Sequence, residues 1–223
     1  MNRPSRSLQW LVWGSLGLTI AAIVVAFILE QHRPAHTPAG SLPANGPLDG
    51  LLPAPLPVGD FTLTNQNNQP VTRADLHGQL WLVDIIFTRC AGPCPTMTRR
   101  MAELQAVIPT NRPVKFVTLT TDPAHDTPAV LQSYSRRFGA EAARWQFLTG
   151  TKQQIAELAT RGLKLTALEK EPDKRENPDD LFIHSTLFVL VDQRGQARAV
   201  FESDDADLRR KVLGAIGRLL EKQ

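Results

Sequence analysis

Cysteine is scarce in this chain: two residues among 223, four positions apart in one loop. A disulfide-built scaffold is thereby excluded, and paired thiols in one loop point to redox or metal chemistry. Aromatic residues make up only 6%, with a single tyrosine, and no basic stripe is interleaved with them. That excludes a nucleic-acid footprint. Charge of one sign is also wanting. The net charge is +3, and beyond Pro57 basic and acidic residues are close to balance. No internal repeat is visible, so a solenoid or propeller is not expected.

Long uncharged runs are limited to one, Leu8 to Leu29. It is long enough to cross a bilayer, which needs roughly 20 residues. A cleaved signal peptide has an apolar core of about 7–15 residues, shorter than this run, and no small-x-small cleavage site follows. A single transmembrane anchor over 8–29 is therefore expected, with Trp10 and Trp13 at an interface. Arg3 and Arg6 precede it and Arg33 follows, which favours a cytoplasmic tail over 1–7 and the bulk of the chain outside, in the periplasm of a bacterium. There disulfides persist. Residues 30–57 carry seven prolines among Ala, Gly and His, a composition that builds no core and reads as a semi-rigid tether. His32 and His36 within it read as solvated.

From Val58 to Gln223 the length suits one domain able to fold without staples. Phe61–Thr64 and Pro70–Thr72, separated by Asn65-Gln66-Asn67-Asn68, read as a hairpin. Thr72 caps a short turn through Leu76. Leu80–Phe87 is an apolar run typical of a strand buried on both faces, although Asp84 lies within it. Met97, Met101, Leu104 and Ile108 mark a helix starting near Pro95. Val114–Thr120 is the next strand. Thr127-Pro128 opens a helix that runs to about Phe138, with Thr as N-cap and Pro at the first position. Trp145–Leu148 is a strand and Thr151–Arg161 a helix closed by Gly162. Glu169–Asp180 is a charged, proline-containing insert. Thr186–Val191 and Ala197–Phe201 form a hairpin, and Asp205–Leu220 a final amphipathic helix. A right-handed crossover makes the strands at Leu80 and Val114 a parallel pair. The order fits an α/β, thioredoxin-like three-layer fold with an N-terminal β-hairpin added, preceded by one transmembrane helix.

Cys90 and Cys94 sit where the buried strand gives way to a helix, with Gly92-Pro93 between them and Pro95 after them. Helix N-termini favour thiolate, and Arg89 adds to that field. Three intervening residues give a wider bite than Cys-x-x-Cys, suited to two sulfurs on one ion, but a redox dithiol has the same residues. His184, in Phe182-Ile183-His184-Ser185-Thr186, enters a strand that in this layout faces the cysteine loop, so an imidazole could complete a two-sulfur, one-nitrogen set. Soft thiolates favour copper(I), imidazole also suits copper(II), and zinc accepts the same ligands. Asp122 lies at the end of the second parallel strand, where α/β folds collect ligands, and could orient the site without binding the ion. His125 nearby reads as loop chemistry, and Met97 and Met101 as core.

The run Val83-Asp84-Ile85-Ile86-Phe87-Thr88-Arg89-Cys90-Ala91-Gly92-Pro93-Cys94-Pro95-Thr96-Met97 resembles the SCO/SenC family of membrane-anchored, copper-binding, thioredoxin-like proteins. So do Thr121-Asp122-Pro123 with Asp126-Thr127-Pro128, Arg137-Phe138-Gly139, Phe147-Leu148-Thr149-Gly150 and His184-Ser185-Thr186. The resemblance implies that Cys90, Cys94 and His184 bind copper, as Cu(I), Cu(II) or both. It also implies delivery to the CuA centre of cytochrome c oxidase, or reduction of that centre's cysteines. The CuA-bearing subunit would be the partner, with other copper chaperones or thioredoxin-like reductases upstream. The competing class is a thiol-disulfide oxidoreductase in which Cys90 attacks, Cys94 resolves and His184 only tunes acidity. A peroxidase or redox sensor built on Cys90 has no recognisable peroxide pocket.

Overall fold

The computed structural model describes residues 50–174 and 182–221. The expected cytoplasmic tail, the anchor over 8–29 and most of the tether lie outside these residues. Among the described residues no helix is long and apolar enough to cross a membrane.

Among the described residues ten strands form: β1 Leu51–Pro57, β2 Thr62–Asn65, β3 Pro70–Thr72, β4 Leu80–Ile86, β5 Val114–Thr120, β6 Trp145–Thr149, β7 Ala167–Glu169, β8 Phe182–His184, β9 Leu187–Val191 and β10 Gln196–Glu202. The helices are α1 Cys94–Val107, α2 Pro128–Arg137, α3 Lys152–Ala156 and α4 Leu208–Glu221. Eight strands make one sheet in the order β1-β10-β9-β4-β5-β6-β2-β3, and β7 with β8 make a separate two-stranded ladder. β4 and β5 run parallel in unbroken register from Leu80 opposite Val114 to Ile86 opposite Thr120, and β6 continues the parallel set. β9 and β10 extend it antiparallel on one side; the β2–β3 hairpin does so on the other.

Alternation along β4 divides the core. Leu80, Leu82 and Ile86 join the cluster beneath α1, α2 and α4, where Met97, Met101, Leu104, Leu131, Tyr134, Val212 and Ile216 are buried. Trp81, Val83 and Ile85 join the opposite cluster, covered by Ile155 and Leu158 and by the N-terminal Val58, Leu63 and Val71. Helices or chain on both faces of a mixed sheet give the three layers expected, and bury strands whose sequence is apolar throughout. Asp84 has the register of Leu82 and Ile86 and is fully buried.

Three features depart from the sequence reading. Leu51–Pro57, assigned to the tether, is the edge strand β1, pairing Leu56 with Ala197 and Pro57 with Gln196 across an irregular register. Prolines are tolerated on an edge, where a missing N–H need not face a neighbour. The helix expected from Thr151 changes character. After an α-helical start with a Thr151–Gln154 capping box, residues Glu157–Gly162 are π-helical. Thr160 Oγ1 donates to the Ala156 carbonyl at 2.6 Å, competing for an acceptor of the α ladder, as back-bonded threonines do. Finally, the segment around His184 is itself a strand. β8 pairs with β7, His184 lying opposite Ala167. Of the charged insert, Pro172–Lys174 is a 3₁₀ turn, and 175–180 lie outside the described residues.

Candidate metal and thiol centre

β4 ends at Ile86, and the chain leaves the sheet through Phe87, Thr88 and Arg89 to reach Cys90. A backbone bond from Cys90 N to the Phe87 carbonyl (3.2 Å) makes this a tight turn. Residues 91–93 are exposed, Cys90 is half-buried, and Cys94 is fully buried as the first residue of α1. The helix has no side-chain cap, and Pro95 takes a first-turn position whose N–H would be unsatisfied anyway. Thr98 Oγ1 donates to the Cys94 carbonyl (2.9 Å) and meets the Tyr134 hydroxyl at 3.0 Å, fixing the start of α1 against α2.

Neither cysteine is in a disulfide. The Gly92 N–H donates to Cys90 Sγ at 3.3 Å. The Cys94 thiol is pushed far above its ordinary range. The largest cause is its hydrogen bond with Cys90, followed by burial, with the charge of Asp84 adding to these and a backbone hydrogen bond at Phe87 opposing them. This corrects the expectation that both sulfurs favour thiolate at the helix N-terminus: for Cys94, burial and the shared hydrogen bond outweigh the dipole. Burial, next to the field of Cys94 and Asp84, likewise pushes the Tyr134 phenol up. Cys90 is the sulfur within reach of solvent, and Cys94 the buried one behind it.

Asp122 falls beside this loop. Its buried carboxylate takes Arg89 Nη2 at 2.5 Å, while the Arg89 side chain is 44% exposed. Arg89 is thus tied to a carboxylate rather than aimed at the sulfurs. Asp126, read from the sequence as part of a helix start, is the denser junction. It is fully buried. Its Oδ2 accepts from Thr88 N (3.1 Å) and Thr120 Oγ1 (2.5 Å), its Oδ1 from Thr88 Oγ1 (2.5 Å), and His125 Nδ1 stands 3.0 Å from Oδ1. The signal available in the sequence was the second acid of Asp122-Pro-Ala-His-Asp126, two residues ahead of α2. Thr127 caps α2 by accepting from Val130 N, as expected. Met97 and Met101 are core residues of α1.

His184 closes β8, and its side chain lies outside what is described. The strand itself comes close to the loop, because Phe182 packs edge-on against Phe87 with ring centroids 5.1 Å apart. Among the described residues no three of His, Cys, Asp and Glu are grouped to hold an ion. The described part of the centre is therefore a pair of neighbouring sulfurs of unequal exposure, with two carboxylates bracing the loop that carries them.

The SCO1/SenC family model matches residues 52–221. A SCO1 protein homolog of Bacillus subtilis is 35% identical over 141 residues, covering 62% of this chain and 70% of the relative. A Stutzerimonas stutzeri protein named for copper binding is 31% identical over 150 residues, covering 66% of this chain and 70% of that one. In the solved structures, BsSco is similar with a TM-score of 0.66 at 28% identity, covering 78% of this chain and 98% of BsSco. BsSco is described as a member of the Sco family of cytochrome c oxidase assembly proteins in which a disulfide switch is identified.

Proposed function

This chain belongs to the SCO1/SenC family, and from that premise we propose that it is a copper metallochaperone that delivers copper to the CuA centre of cytochrome c oxidase. The observation that carries this reading is the thiol pair: two reduced sulfurs within hydrogen-bond reach of each other, one half-buried and one buried. Soft sulfur donors at that separation suit a single copper(I) ion. We assign the ion to Cys90 and Cys94, with His184 as the third ligand; the contact of Phe182 with Phe87 supports the approach of that strand to the loop.

The chemistry of the chain's own residues suits a cargo site. Copper is the substrate here, and it takes thiolates, so loading expels the proton that Cys94 holds. Cys90, on an exposed loop, is the ligand an incoming acceptor sulfur meets first, which lets ligand exchange proceed one bond at a time. Asp122 keeps Arg89 engaged and thereby orients the loop. We further propose the anchored arrangement: a cytoplasmic N-terminus, one membrane pass at 8–29, and the sheet domain on the periplasmic side of the plasma membrane, facing the CuA-bearing subunit.

The disulfide switch identified in BsSco, and the reduced dithiol here, favour one second reading. Cys90 would attack a disulfide of the partner, and Cys94 would then resolve the mixed disulfide, losing its proton as it does so. The two readings separate in one experiment. The copper-loaded chain is mixed anaerobically with the apo, fully reduced CuA domain of the oxidase, and the CuA visible bands are followed after oxidation. Appearance of the bands in stoichiometric yield supports delivery. No bands, but rapid thiol release when the CuA domain is supplied as a disulfide, would move the assignment to oxidoreduction.

A further inference from the structure

The loop that carries Cys90 is held at two ends. At one, Cys94 is built into α1. At the other stands Thr88, bonded to a fully buried carboxylate, and only Arg89 separates it from Cys90. Both of the Thr88 donors, its N–H and its hydroxyl, go to the single buried carboxylate of Asp126, which also takes the hydroxyl of Thr120 at the end of β5. One acid thus ties the exit of β4 to the exit of β5. The other strap, Arg89 to Asp122, starts from a side chain that is 44% exposed, so water competes with it. The Asp126 bonds are sheltered, because the carboxyl group that accepts them is fully buried.

We propose that Asp126, acting through Thr88, is a positioning residue that pre-organises Cys90 against Cys94. Every ligand or bond that must bridge the two sulfurs draws on this pre-organisation. Closing the disulfide is one such event: the two thiols lose two electrons and two protons, an S–S bond forms, and one oxidised glutathione becomes two reduced ones. Chelation of copper(I) by both sulfurs is the other. Since both depend on the same effective concentration of one sulfur at the other, loosening Thr88 lowers both by the same factor. The copper half of this inference rests on the ligand assignment above; the disulfide half does not.

The test uses the full-length chain in mild detergent. Thr88→Val removes the hydroxyl donor with little change of shape, and Thr88→Ser keeps it. The dithiol–disulfide equilibrium is read in glutathione buffers, and copper(I) affinity by competition with a chromophoric chelator. Thr88→Val is expected to lower the disulfide equilibrium constant and the copper(I) affinity in parallel, each on the order of tenfold, while Thr88→Ser stays within about twofold. Asp126→Asn, where it folds by near-ultraviolet circular dichroism, shifts both further in the same direction; where it does not fold, the threonine pair decides. A drop in thermal stability with both equilibria unchanged would make the junction merely structural and overturn the inference. So would a loss confined to copper, or an equal loss in Thr88→Ser. Absence of copper binding in the wild type sinks the delivery reading alone, and leaves the disulfide comparison to decide this one.

Discussion

Two sulfurs of the same residue type are given different roles by their surroundings. Cys90 is half-buried beside an exposed loop, whereas Cys94 is enclosed by α1 and the sheet and shares its hydrogen bond with Cys90. The upward push on Cys94 has a consequence for stability whose sign is fixed by linkage. In the unfolded chain a cysteine ionises near about 8.5, while native Cys94 keeps its proton to higher pH. Stability from this group is therefore complete below that pH and is lost as pH rises toward the native value. The reduced protein should lose about 2 kcal/mol more between pH 7.5 and pH 10 than a Cys94→Ala variant does. Anaerobic urea denaturation across that range checks it; parallel curves for the two proteins would show that Cys94 ionises as freely folded as unfolded. Asp84 marks where sequence reasoning ran short. An acid in an apolar strand is visible in the sequence, but only the register of β4 places it on the α1 side, where its charge acts on Cys94 and Tyr134. The importance of Asp126 was hidden for the same reason, since a helix-start acid and a junction acid are alike until Thr88, just past β4, and Thr120, at the end of β5, are seen to meet it.

At the scale of elements, the strands with a plain apolar signature were legible. The limits of β5 match the sequence expectation residue for residue, and α2 begins behind its Thr127 cap as its Thr-Pro pair implies. What was missed depends on long-range pairing. β1 is proline-rich and reads as a tether until β10 offers it an edge; β8 is too short to announce itself without β7. The π-helical turn has no periodic signature at all. The junction of β1 with the sheet leads to two predictions. Gly50 has φ +68°, and a Cβ there would stand 2.6 Å from the Val200 carbonyl oxygen and 2.8 Å from the Phe201 ring. Gly50→Ala should therefore cost about 1–3 kcal/mol by combined strain and clash, seen in urea midpoints; a neutral result would mean that β1 is not seated as described. A chain starting at Val58 also loses Leu51, Leu52 and Leu56, which pack against the two core clusters. Its melting temperature should fall by at least about 5 °C relative to one starting before Gly50. Equal melting temperatures would make β1 dispensable.

The whole molecule presents its thiols where the parallel strands end, the edge at which α/β folds collect ligands. β4 behind them is fully buried, and the loop in front is short and exposed at 91–93. A buried frame with one accessible sulfur suits an ion that must be held and then given up. Family membership was legible in the sequence because the cysteine loop, the Asp122–Asp126 segment and the His184 segment all occur in order. The bracing of that loop was not, because it is made by side chains that follow two separate strands. Everything proposed for the function turns on whether Cys90, Cys94 and His184 act as one ligand set. The direct measurement is an anaerobic copper(I) titration of the reduced protein against a chromophoric chelator, with Cys90→Ala, Cys94→Ala and His184→Ala alongside. The account predicts one tight equivalent, lost in either cysteine variant and weakened by at least about tenfold in His184→Ala, since losing a ligand should cost no less than losing a residue that only orients one. Absence of competitive binding, or an affinity indifferent to His184, would contradict it.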